Sequence, residues 1–417
     1  MAHAQYLVVG SSHAALEAVN AVRMHDARGS VTLVTRDSRL PYSPTVLPYI
    51  VSGRSAADNV HLRAADYFAK QRVDYKSDSA LARLQPQRNV ATLSDGSEIA
   101  YDKLLLATGA SPAIPPIPGI DAVPFHVLRT LDDALRLKNA IAGARRAVVL
   151  GAGLVGMHAA ENLVKAGAEV SIVEMQPQVL GAYFDRVAAR IIERAFVENG
   201  ARILTGRRVV GLAAGAASVL VRLDNGETLE GDLLLAATGV RPNIGFLAGS
   251  GVAHDQGILV DDYMRTNVAN VWAAGDCAQA RDFFGESPVL NAILPDAAEQ
   301  GRIAGMAMAG DPGLKAYAGG VPLNTYHFFG RHALAVGVGA VPVGGEERIR
   351  ADEARDRYLR VVVKDGRLQG VFGVNEFFDS GVMRQLILRR VDMSGALDRL
   401  VADPLTTGRE FMSRLWK

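Results

Sequence analysis

Two turns built from small residues are the parts of this sequence best suited to chemistry. Residues 7–15 read LVVGSSHAA, and residues 148–156 read VVLGAGLVG. In each, an apolar strand leads through small residues into a helix, which places the pyrophosphate of a dinucleotide on backbone N–H groups at the helix N-terminus. Two such turns predict two bound dinucleotides.

The second turn carries the stronger signal. Gly151, Gly153 and Gly156 meet the G-x-G-x-x-G pattern, and Glu174 ends the next strand 23 residues after the first glycine. A carboxylate there can bond both ribose hydroxyls of the adenosine half and would repel a 2′-phosphate. NAD is therefore favoured over NADP, and a glycine-rich turn without a ligand is the alternative.

The first turn is less regular. Ser12 stands at the second glycine position, His13 follows it, and no acid stands at Thr35, the place equivalent to Glu174. Support comes from residues 266–276, TNVANVWAAGD, where a strand ending in Gly-Asp can direct a carboxylate at a polyol. A helix over residues 296–308 can direct its positive end at a flavin. We expect His13 to cap or pack within its loop.

An internal repeat organises the elements that must position these turns. Residues 92–112 align without a gap on residues 222–242, and both contain a two-residue hairpin signal followed by an apolar strand ending in Ala-Thr-Gly. The matching order favours a duplicated nucleotide-binding plan over chance similarity of short strands.

The second copy predicts a βαβ unit. A strand over residues 147–150, a helix over 153–166 that Gly167 ends, and a strand over 170–173 follow from the apolar spacing. The right-handed crossover of such units predicts a parallel sheet. Residues 112–119 are too rich in proline for a helix or a central strand, so they should cross between domains.

The pattern changes after about residue 320. Strands over residues 358–363 and 368–374 form an antiparallel hairpin, and an amphipathic helix follows around residues 382–388. These elements predict a third, α+β domain that packs on the others or on a neighbouring subunit.

Bulk properties set outer limits. A chain of 417 residues should form two or three domains, and 45 basic against 44 acidic residues give no overall field for nucleic acid or an anionic membrane. Apolar runs stay below the roughly 18 residues of a membrane span, and we expect the protein not to be secreted. A single cysteine fits a reducing cytoplasm and excludes an internal redox disulfide or a four-cysteine iron–sulfur cluster.

Together, Ala107-Thr108-Gly109, the turn at Gly151, a second Ala-Thr-Gly at residues 237–239 and residues 266–276 resemble the FAD-dependent pyridine nucleotide-disulfide oxidoreductase superfamily. The resemblance implies an α/β fold with two Rossmann-like dinucleotide-binding domains and a small α+β C-terminal domain. It implies an FAD domain over residues 1–115 and 246–320, an NAD(H) domain over 116–245, and a C-terminal interface domain over 321–417.

The resemblance also implies the cofactor contacts, with no metal. The expected FAD contacts are Gly10, Ser11, Ser12, Ala14, Arg36, Thr108, Gly109, Ala110, Arg129, Gly275 and Asp276. The expected NAD contacts are Gly151, Gly153, Leu154, Val155, Gly156, Glu174 and Gly239. Asp276 would hold the ribityl chain, whereas Arg129 either touches the flavin nucleotide or forms an ordinary surface salt bridge.

One departure narrows the chemistry. Residues 40–49, LPYSPTVLPY, resemble the stretch in which NADH peroxidases, NADH oxidases and coenzyme A-disulfide reductases carry a redox cysteine beside the flavin, and Thr45 takes the place of that cysteine. A threonine hydroxyl forms no thiolate, sulfenic acid or mixed disulfide. Disulfide and peroxide reduction through a cysteine are therefore excluded, and the resemblance is to a cysteine-less branch of the superfamily. Cys277 follows the Gly-Asp turn without a partner, so we expect no redox role for it.

A second departure is His158, which stands where many relatives carry a glutamate facing a flavin-side lysine. No such lysine is evident near Tyr49, and losing both partners avoids an unpaired buried charge. His158 either touches the nicotinamide or the flavin N5 edge or is a satisfied core histidine. Tyr49 and Thr45 are further possible contacts, and no catalytic residue is assigned firmly.

The remaining chemistry is direct hydride transfer between nicotinamide C4 and flavin N5, with the flavin exchanging single electrons with another protein. Residues 10–15, 42–49 and 324–330 look most like NAD-linked flavoprotein subunits of multi-subunit, acylating 2-oxoacid dehydrogenases. That likeness implies iron–sulfur clusters and thiamine diphosphate on partner subunits, and neither nucleic acid nor membrane as a partner.

Two other functions stay open at this point: a free-standing NADH-dependent rubredoxin or ferredoxin reductase, and a nucleotide-sensing flavoprotein without turnover. Self-association through residues 321–417 is a further expectation from the resemblance.

Overall fold

The computed structural model describes residues 1–415. The chain divides into two compact units. The first contains residues 1–44, 57–111 and 240–320, and the second contains residues 45–56, 112–239 and those from 321 onward. Residues 416 and 417, which end the expected C-terminal domain, lie outside the described residues.

Strands and helices are numbered in chain order over the described residues. The strands are β1 (Ala2–Val9), β2 (Val31–Val34), β3 (Val73–Lys76), β4 (Leu81–Gln85), β5 (Val90–Leu93), β6 (Glu98–Leu106), β7 (Ala110–Pro112), β8 (Arg146–Leu150), β9 (Glu169–Glu174), β10 (Arg202–Thr205), β11 (Val209–Ala214), β12 (Val219–Leu223), β13 (Thr228–Gly231), β14 (Leu233–Ala236), β15 (Val240–Pro242), β16 (Ile258–Leu259), β17 (Val271–Ala273), β18 (Ala278–Gln279), β19 (Leu323–Phe328), β20 (Arg331–Gly337), β21 (Glu346–Asp352), β22 (Arg357–Lys364) and β23 (Arg367–Val374). The α-helices are α1 (His13–His25), α2 (Leu47–Val51), α3 (Tyr67–Lys70), α4 (Leu131–Ile141), α5 (Leu154–Lys165), α6 (Arg186–Glu198), α7 (Leu294–Ala309), α8 (Ser380–Leu388), α9 (Leu397–Ala402) and α10 (Pro404–Arg414).

The first unit is built on a seven-stranded sheet in the order β3-β2-β1-β6-β5-β4, with β17 also paired to β6. Strands β3, β2, β1, β6 and β17 run parallel, and β5 and β4 add an antiparallel edge. Successive residues of β1 such as Leu7 and Val8 are both fully buried, so both faces of the sheet are covered, as parallel sheets require.

The second unit contains a parallel four-stranded sheet in the order β10-β9-β8-β14 and an antiparallel sheet of β11, β12 and β13. The predicted βαβ unit is confirmed as β8, α5 and β9. Gly153 is the N-cap of α5 and Ala166 its C-cap, so the observed helix is one residue shorter at each end than the predicted one.

The repeat seen in the sequence is present in the structure. In the first copy the Leu93 N–H donates to the Ser97 carbonyl at 2.8 Å, and in the second the Leu223 N–H donates to the Glu227 carbonyl at 2.8 Å. The glycines of these turns, Gly96 and Gly226, have φ of +83° and +85°. In each turn the glycine thus has the left-handed backbone conformation that residues with a side chain rarely adopt.

The C-terminal part of the second unit is a five-stranded antiparallel sheet in the order β19-β20-β23-β22-β21, followed by α8, α9 and α10. The predicted hairpin is confirmed as β22 and β23, and the predicted helix as α8. Strands β19, β20 and β21 and helices α9 and α10 were not predicted from the sequence.

Residues 1–415 contain neither a membrane-spanning helix nor a cluster of metal-binding side chains. None of their helices is long and apolar enough to cross a bilayer. Within the same residues, no group of three or more histidine, cysteine, aspartate or glutamate side chains is placed to hold a metal ion.

Candidate dinucleotide and electron-transfer site

The two small-residue turns have the same backbone hydrogen bonds. The Gly10 N–H donates to the Val34 carbonyl at 2.8 Å, and the Gly151 N–H donates to the Val173 carbonyl at 2.8 Å. Each turn is therefore fixed to the strand that follows its helix, and Val34 and Val173 occupy equivalent positions.

The Ala-Thr-Gly segments lie under the turns in the same way. The Ala107 N–H donates to the Val9 carbonyl and the Ala237 N–H donates to the Leu150 carbonyl, both at 2.8 Å. A Cβ on Gly10, whose φ is +122°, would lie 2.0 Å from the Ala107 carbonyl oxygen. Only glycine fits where the turn crosses so close to the neighbouring strand.

The second turn fits a pyrophosphate. A Cβ on Gly156 would lie 2.0 Å from the Gly151 carbonyl oxygen, so α5 packs directly on the turn. A Cβ on Gly153, in contrast, would meet nothing within 4 Å. The first N–H groups of α5, from Leu154 and Val155 onward, have no acceptor inside the helix. An open approach to unpaired N–H groups at a helix N-terminus is what a phosphate needs.

Glu174 is fixed at the end of β9 by the turn itself. Its Oε2 accepts the Ala152 N–H at 2.7 Å, and its Oε1 accepts the Gln176 N–H at 2.8 Å. These bonds hold a carboxylate beside the turn, in the place from which it could accept the hydroxyls of an adenosine ribose.

The first turn begins α1 without a side-chain cap. Ser12 is the N-cap residue, and the Leu16 N–H donates to its carbonyl at 3.0 Å. His13 does not cap the helix, because its Nε2 lies 3.0 Å from Ser43 Oγ. Burial lowers the pKa of His13, so its imidazole is neutral at pH 7. His13 thus ties the first turn to the segment before Thr45.

Helix α7 positions the Gly275-Asp276 turn. A Cβ on Gly301 would lie 2.1 Å from the Ala14 carbonyl oxygen, so α1 and α7 touch along small residues. The Gly275 N–H donates to Gln300 Oε1 at 2.8 Å, which fixes the turn to α7. This contact explains the glycine at position 301, and Gln300 is a positioning residue that the sequence analysis missed.

Asn243 is a second missed residue. Its Nδ2 donates to the Thr108 carbonyl at 2.8 Å, and Thr108 Oγ1 donates to the Asn243 carbonyl at 2.8 Å. Its Oδ1 accepts Ser111 Oγ at 2.7 Å, and Ser111 in turn accepts Arg36 at 3.1 Å. In the second copy, Thr238 Oγ1 donates to the Ala113 carbonyl at 2.6 Å. The repeated threonine was the signal from which such a partner could have been found.

Thr45 and Cys277 are the two residues that bear on sulfur chemistry. Thr45 lies in a single 3₁₀ turn directly before α2. Cys277 is fully buried, and its Sγ lies 3.3 Å from the Leu106 carbonyl oxygen. Burial raises the pKa of the Cys277 thiol, which keeps it protonated and unreactive.

His158 lies on α5 and packs edge to face against Tyr326 of β19, with ring centroids 4.7 Å apart. Desolvation lowers the pKa of His158 to about 4 although Glu161 opposes the shift, so the imidazole is neutral at pH 7. Glu161 Oε1 accepts the Phe329 N–H at 2.8 Å and lies 2.5 Å from Lys165 Nζ. Strand β19 is therefore attached to the helix that the second turn begins.

The predicted contacts divide between the two units. In the first unit lie Gly10, Ser11, Ser12, Ala14, Arg36, Thr108, Gly109, Ala110, Gly275 and Asp276. In the second lie Arg129, Thr45, Tyr49, His158, Gly151, Gly153, Leu154, Val155, Gly156, Glu174 and Gly239. Arg129 precedes α4, and its backbone N–H donates to Asp133 Oδ2 at 3.2 Å. The individual cofactor contacts stay predictions.

Known proteins share this architecture. Residues 4–308 match the family described as pyridine nucleotide-disulphide oxidoreductase. The chain is 64% identical over 416 residues to the NADH-dependent phenylglyoxylate dehydrogenase subunit epsilon of Aromatoleum evansii, covering 100% of this chain and 99% of that protein. This match confirms the likeness, within the superfamily, that residues 10–15, 42–49 and 324–330 indicated.

Two further relatives are more distant. Rhodocoxin reductase of Rhodococcus erythropolis is 32% identical over 275 residues, which covers 65% of this chain and 64% of that protein. A ferredoxin reductase from Rhodopseudomonas palustris has a similar structure, with a TM-score of 0.81 and 27% identity over 89% of this chain and 91% of its own. The fold agrees with that of the solved structure, and the chain belongs to the pyridine nucleotide-disulphide oxidoreductase family, as a flavoprotein oxidoreductase that binds FAD and NAD(H).

Proposed function

We propose that this chain is the NAD-linked flavoprotein subunit of a phenylglyoxylate dehydrogenase, in which it passes electrons from an iron–sulfur partner subunit to NAD+. The 64% identity with the epsilon subunit of A. evansii over the whole length of both chains supports this assignment. The overall reaction would convert phenylglyoxylate, coenzyme A and NAD+ to benzoyl-CoA, CO2 and NADH.

The observation that carries the proposal is the lack of a sulfur relay. Thr45 replaces the redox cysteine, and Cys277 is fully buried against backbone carbonyls of the first unit. The chain then has no redox-active thiol that could store electrons between the flavin and its redox partner. The electrons must therefore be exchanged directly with a separate carrier. A carrier of single electrons fits a flavin, which supplies the step between one-electron and hydride chemistry when it is bound.

The chain's own residues bind and orient. The N-terminal N–H groups of α1 and α5 would each hold a pyrophosphate, and Glu174 would fix the NAD ribose. Gln300 and Asn243 hold the Gly275 and Thr108 turns of the FAD site in place. His158, neutral and packed on Tyr326, adds no charge beside the helix that would receive NAD. No side chain of this set is required to act as an acid or base.

Division of labour follows from the composition of the chain. Because one cysteine cannot hold a four-cysteine cluster, iron–sulfur clusters would reside on partner subunits, together with the thiamine diphosphate that decarboxylation of a 2-oxoacid needs. The chain would be one subunit of a cytoplasmic, multi-subunit, acylating 2-oxoacid dehydrogenase.

A free-standing reductase of a small iron–sulfur protein or rubredoxin is the second candidate. The likeness to the ferredoxin reductase of R. palustris over most of both chains favours it. Such a reductase would turn over rapidly with a small carrier in the absence of other subunits, whereas a complex subunit would do so poorly.

Co-purification at native expression tests the proposal. A tagged copy expressed from its own promoter should bring down cluster-bearing and thiamine-dependent subunits, and the assembly should reduce NAD+ when given phenylglyoxylate and coenzyme A. An equally tagged unrelated flavoprotein from the same cells is the control. A chain that purifies alone and rapidly reduces a small ferredoxin or rubredoxin would favour the second candidate. If NADH never bleaches the bound flavin, the chain would instead be a nucleotide-sensing protein.

A further inference from the structure

We infer that the ribose-binding end of the first dinucleotide site accepts an adenine nucleotide that carries a 2′-phosphate, a ligand that the second site rejects. This selectivity is independent of which protein exchanges electrons with the flavin.

The two sites can be compared residue by residue because their backbones are equivalent. Gly10 and Gly151 make the same 2.8 Å bond to Val34 and Val173, respectively. The next residues, Thr35 and Glu174, therefore occupy the same place beside their turns. A side chain at this place meets the 2′-oxygen of a bound adenosine ribose.

The second site presents a carboxylate there. Glu174 Oε2 accepts the Ala152 N–H at 2.7 Å, so the negative charge is held directly on the turn. Arg207 and Arg208 follow the neighbouring strand, and the Arg207 N–H donates to the Glu174 carbonyl at 3.0 Å. A carboxylate beside the ribose 2′-oxygen would repel a 2′-phosphate.

The first site presents only hydroxyl groups at the same place. Ser11, the equivalent of Ala152, donates from its Oγ to Thr35 Oγ1 at 3.0 Å. Thr35 is buried, and its Oγ1 also accepts the Asp37 N–H at 3.3 Å. A hydroxyl pair leaves the ribose end of this site without a negative charge.

Arg36 adds a positive charge beside the hydroxyl pair. It directly follows Thr35, at the position where the second site has the exposed Met175. Its guanidinium is exposed and donates to Ser111 Oγ at 3.1 Å, so it is directed along the edge of the first unit that carries the Ala-Thr-Gly segment. An arginine next to this place is the arrangement that accommodates a 2′-phosphate.

The acids of the same loop are balanced by its arginines and leave no negative excess. Asp37 Oδ2 accepts the Tyr42 hydroxyl at 2.7 Å, and its Oδ1 accepts the Arg39 N–H at 3.0 Å. A second acid, Asp78, lies on the adjoining loop, and the positive charge of Arg39 balances its negative charge. With Arg36 and Arg39 against Asp37 and Asp78, the loop has no net negative charge to repel a phosphate.

The test compares 5′-AMP with adenosine 2′,5′-bisphosphate, which differ only in the 2′-phosphate. Both compete with FAD for rebinding to the full-length chain freed of flavin, and rebinding is followed by the quenching of flavin fluorescence. The inhibition constant of the bisphosphate should equal or fall below that of AMP at this site. In competition with NADH on the holoprotein, AMP should be the stronger ligand by about tenfold. Stronger competition by AMP at the FAD site would overturn the inference.

Two variants locate the effect. Arg36→Gln should weaken the bisphosphate about tenfold and change AMP by less than about twofold. The control Arg83→Gln removes an exposed charge of β4 in the same unit and should change neither constant. Thr35→Glu should make AMP the stronger ligand at the FAD site. If this buried substitution prevents folding, the Arg36→Gln variant, which changes an exposed side chain, still tests the inference. If the flavin-free chain does not refold, the same ratio is measured from flavin release by the holoprotein warmed until its flavin exchanges with the medium. An Arg36→Gln protein with an unchanged ratio contradicts the inference by either route.

Discussion

The Glu174 carboxylate accepts the backbone N–H of Ala152 at 2.7 Å, so the acid that would select NAD is held by the turn that would hold its pyrophosphate. Glu174→Ala should therefore raise the KM for NADH about tenfold or more, because it removes charge-assisted bonds to the ribose. The KM for NADPH should rise less, so the preference for NADH over NADPH should decrease. Steady-state kinetics with both nucleotides measure it, with Glu169→Ala, an exposed acid at the start of the same strand, as the control. An undiminished NADH preference in Glu174→Ala would remove Glu174 from the site.

Two glycines of the second turn should separate binding from folding. Gly153→Ala places a methyl group in open space with φ of −78°, so stability should fall by only about 1 kcal/mol or less, the cost of alanine at an N-cap, while NADH binding is lost to the blocked approach. Gly156→Ala places its methyl 2.0 Å from the Gly151 carbonyl oxygen and should cost about 1–3 kcal/mol of stability.

Unfolding in denaturant and NADH titration of both glycine variants check this split. Full NADH affinity in Gly153→Ala would show that the phosphate does not lie at this residue.

The pH dependence of stability should carry the signature of His158. Its pKa is about 4 in the folded protein against 6.5 when exposed, so the unfolded chain binds more protons between these values. Its contribution is complete above pH 6.5 and is lost as the pH falls toward 4, by up to about 3 kcal/mol. His158→Gln should flatten the loss of unfolding free energy over this window.

Denaturant unfolding at several pH values between 4 and 7.5 measures the effect. Burial also lowers the pKa of His13 and of His126, and the same series on His13→Gln and His126→Gln separates their contributions. An unaltered slope in His158→Gln would mean that its ring is charged or solvated in the folded protein.

Removing the only thiol should leave electron transfer intact. Cys277→Ala deletes a sulfur atom buried against the Leu106 carbonyl, so stability should fall by about 1 kcal/mol. NADH-driven reduction of a one-electron acceptor should stay within about twofold of the parent rate, because no step uses the sulfur. Alkylating reagents should not inhibit the native protein either. A Cys277→Ala variant that keeps its flavin but has lost turnover would assign the thiol a redox role.

Local chemistry made the two turns and the second βαβ unit predictable. A run of small residues between an apolar strand and a helix is compatible with few structures other than this turn. Gly153 and Ala166 cap the two ends of α5, close to the ends that the pattern predicted. The repeat added a check, because Gly96 and Gly226 adopt the same turn in both copies.

Contacts between distant parts of the chain were not predictable. Strand β21 reads EERIRAD and shows no apolar alternation, and it becomes a strand only through pairing with β22. His158 contacts Tyr326, which lies 168 positions later in the sequence, and Gln300 and Asn243 act through backbone groups that no motif marks. The packing of His158 on Tyr326 could thus not be read from the sequence, and a contact of its ring with the nicotinamide stays a prediction.

The most direct test of electron transfer without a sulfur relay is an anaerobic titration of the flavoprotein with NADH, counting the reducing equivalents needed to bleach the flavin. Because the flavin takes up one hydride and no disulfide is present to take a second pair of electrons, bleaching should be complete at about one NADH per flavin. A requirement for about two, or bleaching that thiol reagents change, would reveal a second redox group and contradict the account.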